Sequence, residues 1–383
     1  MLAHKGIAQL KLFLSLAIIG TINGIPVHIH AEGPRGVGKT STMRAIRPYL
    51  PTIKRIKGCL YNCDPTNPHC PEHRNLSISE LATIGAEMIQ MPLLELSANS
   101  KIGTALGSID LRRITDTKHP QAYLLPGIIP QAHRGIIIVD EINRLAENSP
   151  QITDLLLQVM GTKPGIVQIE EPGFPVQSLP VQVSVWAASN PDEEPGPLHE
   201  IRRQLADRFD FTVMAKGLRE KEEYKLFFRQ QLQDQVKVAT DFAKYKTDLN
   251  REYILKAELA GEFTDRIAQL LSTYKVESIR AINAIILGLK LSAIQRGNKE
   301  PDAFDLDRIM QAALCHRLGV EAEELARQAK IDLNGSVSIS KARSTPYAHQ
   351  AALEPVVSVA GSRNSSIWQR LFFSKEYVSL KKK

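Results

Sequence analysis

The chain has 383 residues, of which 43% are apolar and 23% charged. At roughly 150 residues per domain this predicts two or three domains with a real core, and it excludes a disordered, collagenous or disulfide-stapled chain. The net charge is +7, but eight basic and two acidic residues after Gly335 supply nearly all of it. The basicity therefore describes a tail and is poor evidence for a nucleic-acid groove in the core, so a nucleic-acid partner is not expected.

No run approaches the ~18–20 apolar residues of a membrane-spanning helix. Leu12 to Gly20 has the look of a signal-peptide apolar region, yet no small-residue cleavage site follows and a phosphate-binding motif begins at Gly33. The run reads as a buried helix and the protein as cytoplasmic. Five strand candidates follow: Val27–Ala31, Leu93–Ser97, Gly135–Val139, Val181–Ala188 and Phe209–Val213. Continuously apolar runs such as Ile136 to Val139 suit strands covered on both faces, so residues 1–216 read as α/β with a parallel sheet. From Leu218 to Leu318 the pattern turns helical. Ile279, Ile282, Ile286, Leu289 and Ala293 recur at helical spacing over Val276 to Arg296, with Gly297 as a stop. This predicts a small all-helical domain over 217–320. Residues 321–383 read as a basic, partly disordered tail, with ten serines in the last 49 positions. Within it Ile367, Trp368, Leu371 and Phe372 share one helical face, which backs onto the core or docks on a partner.

Gly33-Pro34-Arg35-Gly36-Val37-Gly38-Lys39-Thr40 fits G-x-x-x-x-G-K-[ST] at every fixed position, between a strand-like segment and a helical one opening at Ser41. Glycines let the backbone turn several N–H groups toward an anion, and the following helix adds its positive end. Lys39 should reach the β- and γ-phosphates of a nucleotide, and Thr40 should bind magnesium. The apolar run Ile136 to Val139 ends in Asp140-Glu141, the Walker B pattern: Asp140 to hold the ion, Glu141 to orient and polarise the attacking water. Glu141 favours hydrolysis over passive binding. Asn190 ends another apolar strand, where it can fix the lytic water; an ordinary Asn-Pro turn is the alternative. Arg208, in Leu205-Ala206-Asp207-Arg208-Phe209, can reach a neighbouring subunit's γ-phosphate, a contact worth about 10³–10⁵ in rate. Arg202 and Arg203 compete for that role. Arg280, opening a lid helix, can contact the phosphates of its own subunit's nucleotide.

This order of Walker A, Walker B, sensor asparagine, Leu-x-Asp-Arg-Phe and lid arginine resembles an AAA+ ATPase, and more narrowly the ATPase (I) subunit of magnesium chelatase. The narrowing rests on Gly58-Cys59-Leu60-Tyr61-Asn62-Cys63-Asp64-Pro65 and Leu106-Gly107-Ser108-Ile109-Asp110-Leu111. Pro126-Gly127-Ile128-Ile129 and Ala132-His133-Arg134-Gly135 then lead into Walker B, and Asp154-Leu155-Leu156-Leu157 follows it. The likeness leaves only the tail unmatched. It implies an AAA+ P-loop NTPase using ATP and magnesium in a homo-oligomeric ring, commonly a hexamer. Such a motor drives an integrin-domain partner subunit and a porphyrin-binding subunit that inserts a metal into a tetrapyrrole. By position, Gly33, Pro34, Arg35, Gly36, Val37, Gly38, Lys39, Thr40, Ser41 and Arg280 would bind the nucleotide. Thr40 and Asp140 would hold magnesium, while Lys39, Glu141, Asn190 and Arg208 would be catalytic. Residues 103–133 and a hairpin over 166–183 would be arms for partners. The chain departs from the family at Ala206, where a leucine is usual, and at Asp192-Glu193-Glu194-Pro195-Gly196, where Glu-Glu-Gly is usual. These departures leave hydrolysis intact. They leave open a MoxR-like remodelling ATPase with another client, or a DNA-associated ATPase.

Cys59, Cys63 and Cys70 lie within twelve residues, with His69 and His73 beside them. Thiolates with imidazole suit zinc or an iron–sulfur cluster, and Cys59, Cys63, Cys70 and His73 would close a tetrahedron. The irregular spacing leaves a metal-free loop of reduced thiols and a redox sensor as alternatives. Cys315 is remote and reads as a small buried apolar residue.

Overall fold

The computed structural model describes residues 5–109, 124–170, 176–218, 223, 225, 259, 261–298 and 300–318. The tail over 321–383, with the expected helical face around Trp368, lies outside the described residues.

The Leu12–Gly20 run sits in helix α1 (Ala8–Ile22), in which every residue from Leu10 to Thr21 except Leu12 is buried. A helix apolar on all sides must be covered on all sides. Strand β1 (Ile29–Glu32) leads through the glycine loop into α2 (Lys39–Arg44). Next come β2 (Thr52–Ile56), α3 (Ile78–Ile84), β3 (Ala86–Gln90), β4 (Leu93–Leu96), α4 (Ile102–Leu106) and β5 (Gly107–Ile109). Beyond residue 123 lie β6 (Leu124–Pro126), α5 (Ile128–Gln131), β7 (Gly135–Val139), α6 (Ile142–Asn148) and α7 (Pro150–Val159). The chain continues through β8 (Gly165–Ile169), β9 (Gln177–Val181), β10 (Val183–Ser189), α8 (Leu198–Ile201), α9 (Arg203–Ala206) and β11 (Phe211–Met214). Helices α10 (Gly261–Thr273), α11 (Ile279–Arg296) and α12 (Ala303–Leu318) complete the described chain.

The central sheet has the order β11-β1-β10-β7-β4, and every pairing in it is parallel. All five expected strands are present. The offset of β1 from the expected Val27 start has a local cause. Val27 N donates to Ser184 Oγ (2.9 Å) and His28 N to Asp210 Oδ2 (2.8 Å), so the N–H groups of those two residues go to side chains rather than to a neighbouring strand's carbonyls. Alternation along the strands divides the interior in two. Ile29, Ala31, Ile136, Ile138, Trp186 and Phe211 face one apolar cluster, which also takes in α1 and the helices from α10 to α12. Ile137, Val139, Val183, Val185 and Ala187 face the other, shared with α6, α7, the β8–β9 hairpin and the cysteine segment. Coverage on both faces is what the uninterrupted apolar runs required.

Helix α11 is bounded by chemistry visible in its sequence. Ser278 Oγ accepts from Ala281 N at its start, and Gly297 takes the left-handed conformation (φ 79°) at its end. The helix crosses the sheet closely at Gly288, where a Cβ would meet Ile309 Cγ2 at 2.6 Å and Phe211 Cζ at 2.9 Å. Arg296 and the fully buried Asp305 join α11 to α12. The helical segment after residue 260 is therefore packed onto the sheet through a common core.

Three antiparallel pairs stand outside the main sheet: β2–β3, β5–β6 and β8–β9. The β8–β9 pair coincides with the hairpin expected over 166–183. Among the described residues no helix is long and apolar enough to cross a membrane.

Candidate functional site

The glycine loop leaves the end of β1 with its backbone turned at Gly33 (φ 153°), Gly36 (φ 77°) and Gly38 (φ 89°). At Gly33 the need for glycine is steric as well, because a Cβ there would sit 2.2 Å from Ala215 O. Lys39, the first residue of α2, is almost fully buried, and its Nζ donates to Gly33 O (2.7 Å), Pro34 O (2.9 Å) and Asn190 Oδ1 (2.8 Å). Burial lowers its pKa, while Asp140, Glu193, Asp192 and Glu32 act in the opposite direction. Thr40 Oγ1 donates to Asp140 Oδ1 at 2.9 Å. Asp140 and Asn190 thus directly follow the adjacent parallel strands β7 and β10, and both side chains reach across to the start of α2.

Glu141 stands in the left-handed region (φ 50°, ψ 49°), and its backbone N–H donates to Asp140 Oδ1 (3.1 Å). A non-glycine residue held there is uncommon, and the turn aims consecutive carboxylates differently. Glu141 pairs with Arg144 (3.2 Å), which also lies 3.6 Å from Glu193. The donor set fits nucleotide and magnesium: a loop with three glycines at positive φ, an ammonium, and a hydroxyl already touching a carboxylate.

Arg208 and Arg280 come together on a different part of the surface. Both line a cavity of about 420 Å³ with Thr162, Lys163, Asp210 and Arg317. Arg280 Nη1 donates to Asp207 Oδ2 at 2.9 Å. Arg208 is half-buried; burial and the nearby Arg280 lower its pKa, and Asp207 partly offsets them. Arg202 and Arg203 are exposed.

Three residues of this region escaped the sequence reading. Asn143 Nδ2 donates to Asn190 O (3.3 Å) and Gly196 O (3.2 Å), holding the segment that presents Asn190. Its position three residues after Asp140 was the available signal. Arg317, in the last turn of α12, donates from Nε to Asp207 Oδ1 (2.9 Å) and from Nη2 to Asp207 O (3.0 Å) and Phe209 O (3.1 Å). No sequence spacing announces that contact across 110 residues. Glu32, the last residue of β1, is buried with Oε1 unpartnered among the described residues, and burial raises its pKa.

The four expected cysteine-site residues also converge. Ligand atoms of Cys59, Cys63, Cys70 and His73 all lie within 4.8 Å of one another, and all four residues are buried. Cys315 is half-buried and hydrogen-bonded rather than purely apolar in its contacts, its thiol donating to Thr212 O (3.1 Å).

No family model matches the sequence. The chain is 27% identical over 312 residues to the magnesium-chelatase 38 kDa subunit of Acidiphilium rubrum, covering 79% of this chain and 86% of that protein. It is 27% identical to the chloroplastic magnesium-chelatase subunit ChlI of Glycine max, covering 82% and 74%. It is 24% identical to a ChlI homologue of Methanocaldococcus jannaschii, covering 79% and 81%. Among solved structures, a complex of the magnesium-chelatase subunits BchI and BchD contains a chain matched at 22% identity and TM-score 0.45. That match covers 87% of this chain and 97% of that one, a likeness too loose to weigh beside the strand order. Along about four-fifths of its length, which takes in both the glycine loop and the Asp-Glu strand end, the chain is similar to magnesium-chelatase subunits of the ChlI type.

Proposed function

We propose that this chain hydrolyses ATP as the motor subunit of a magnesium-chelatase-type complex. Residues 1–216 would bind the nucleotide, and residues 217–320 would form the lid. The observation that carries the reading is the pair of hydrogen bonds Lys39–Asn190 and Thr40–Asp140. They gather the loop after β1 and the ends of β7 and β10 into one site.

Each chain residue then has a task its position supports. The N–H groups of Gly33 to Lys39 would wrap the phosphates, and Lys39 would exchange its present carbonyl acceptors for phosphate oxygens. Magnesium held by Thr40 and Asp140 would neutralise charge between the β- and γ-phosphates. Glu141, restrained by Arg144, would accept the hydrogen bond of the attacking water, and Asn190 would fix that water's other side. Arg208, whose charged neighbours are Arg280 and Asp207, suits a group offered to a neighbouring copy, while Arg280 would serve the nucleotide of its own subunit. This favours a homo-oligomeric ring, which we take to be a hexamer.

The relatives' names, magnesium-chelatase subunits, extend the proposal to a metal-inserting complex; the resemblance implies that it holds an integrin-domain subunit and a porphyrin-binding subunit and that the metal goes into a tetrapyrrole. The expected compartment is the cytoplasm. A mixing experiment tests the shared site. Arg208→Ala and Lys39→Ala chains should each be inactive alone, whereas their mixture should regain turnover, because one supplies an intact cradle and the other an intact arginine. A mixture that stays inactive while forming mixed rings overturns the shared site.

A further inference from the structure

The cysteine segment between β2 and β3 plays no part in the nucleotide site, yet it is built like a binding site. Cys59, Cys63 and Cys70 are at most 1% exposed, and His73 is 8% exposed. Buried thiols often serve as small apolar groups, but an imidazole converging on three of them needs another reason. Cys59 Sγ lies 4.0 Å from Cys70 Sγ, and His73 Nδ1 lies 3.0 Å from Cys70 Sγ. A tetrahedral ion bound at about 2.3 Å to sulfur and about 2.1 Å to nitrogen has ligand–ligand edges of about 3.6–3.8 Å. The four atoms are within small side-chain adjustments of that figure.

The same distances separate the alternatives. An iron–sulfur cluster places irons and sulfides between its terminal thiolates and so spreads them further apart than one ion does. A disulfide needs sulfurs at about 2.0 Å and would leave Cys63 and His73 without a role. Three soft thiolates and one imidazole select zinc over magnesium or calcium. The surroundings suit charged sulfur: backbone N–H groups of His69 and Cys70 point at Cys63 Sγ (3.4 and 3.3 Å), and His69 Nδ1 lies 3.2 Å from it. Second-shell donors of this kind orient ligands and stabilise the thiolate.

We propose that Cys59, Cys63, Cys70 and His73 bind a single zinc ion as a structural pin. Binding would release the three thiol protons and involve no change of oxidation state. The pinned segment reaches the β5–β6 hairpin and its neighbours: Tyr61 Oη donates to Leu124 O (3.0 Å), and Asn62 Nδ2 donates to Gln131 O (2.6 Å). The His69 ring also stacks on His133 at 3.9 Å. The ion would thus hold in place the base of a candidate partner-binding arm.

The test uses the full chain, expressed with zinc supplied and dialysed. Elemental analysis should find one zinc per chain, and Cys70→Ser and His73→Ala should lose it, whereas Cys315→Ser should keep it. Cobalt exchanged into the unsubstituted chain should give the intense tetrahedral bands and thiolate charge-transfer absorption of such a site, a readout that needs no variant to fold. The proposal is overturned by folded protein with only trace zinc, by a Cys59–Cys70 disulfide in mass spectra, by iron–sulfur absorption, or by full zinc retention in His73→Ala.

Discussion

Arg317 and Arg280 hold the same carboxylate from opposite degrees of exposure, and that contrast gives a sharp prediction. The Arg317 side chain is 7% exposed, that of Arg280 is 48%, and that of Asp207 is 30%. Arg317 makes charge-assisted bonds to Asp207 Oδ1 and to the carbonyls of Asp207, Phe209 and Ala313. Arg317→Met keeps the apolar stem and removes all of these donors. A hydrogen bond to a charged group contributes about 1.5–3 kcal/mol, and breaking a buried pair from one side costs about 3–5 kcal/mol. Asp207 keeps Arg280 and some solvent, so the expected loss falls near the lower figure, about 3 kcal/mol. Arg280→Met removes one largely solvated pair and should cost about 0–1 kcal/mol. Urea unfolding of the full chain at pH 7, with slope and midpoint both fitted, measures each difference. An Arg280→Met cost equal to that of Arg317→Met would refute the burial argument. So would an Arg317→Met loss below about 1 kcal/mol.

Other expectations concern the nucleotide site and the buried imidazoles. Lys39→Ala should abolish ATP binding in a fluorescent-nucleotide titration, and unchanged affinity would remove Lys39 from the cradle. Glu141→Gln should bind ATP with near-parental affinity and lose at least about 100-fold in turnover, the scale of a lost general base; phosphate release measures it. His28 and His30 are fully buried, and burial drives the pKa of each down to about 3 from an ordinary 6.5. The unfolded chain therefore takes up protons below pH 6.5 that the folded chain refuses. Stability should fall from pH 6.5 to pH 5 by up to about 1.4 kcal/mol per pH unit for each imidazole. A flat urea midpoint across that window would show that these rings titrate freely. Glu32 has the opposite sense: its raised pKa makes the ionised form the strained one at neutral pH. Glu32→Gln should stabilise the chain at pH 7, with the gain shrinking as pH falls toward about 4, as urea midpoints at the two pH values would record.

Much of this architecture was readable before any coordinates because the relevant signals are local. Ile136 to Val139 is apolar at every position and lies inside the sheet, between β10 and β4, with both faces covered, so no competing pattern obscured it. The glycine loop declared itself because three of its positions need backbone angles that side chains resist. Gly297 marked the end of α11 for a similar reason. The β2–β3 ladder was not legible: apart from the buried Ile56 its strands alternate exposed and half-buried residues, and the cysteine segment separates them, so neither carries a continuous core signal. Nor could spacing show that Arg280 settles on Asp207, since that contact depends on how α11 lies across the sheet. Arg317 and Asn143 act through backbone carbonyls, which every residue possesses and no motif records.

The all-round burial of α1 has a consequence for biosynthesis. Its covering comes partly from α11, where Leu291 lies beside Gly20 and Gln295 Nε2 reaches back to Ser15 Oγ. Helix α1 leaves the ribosome more than two hundred residues ahead of α11 and must wait for them before that side is sheltered. Through that interval it presents a greasy surface to the cell, an invitation to chaperones, and any premature stop ahead of α11 would leave it permanently bare.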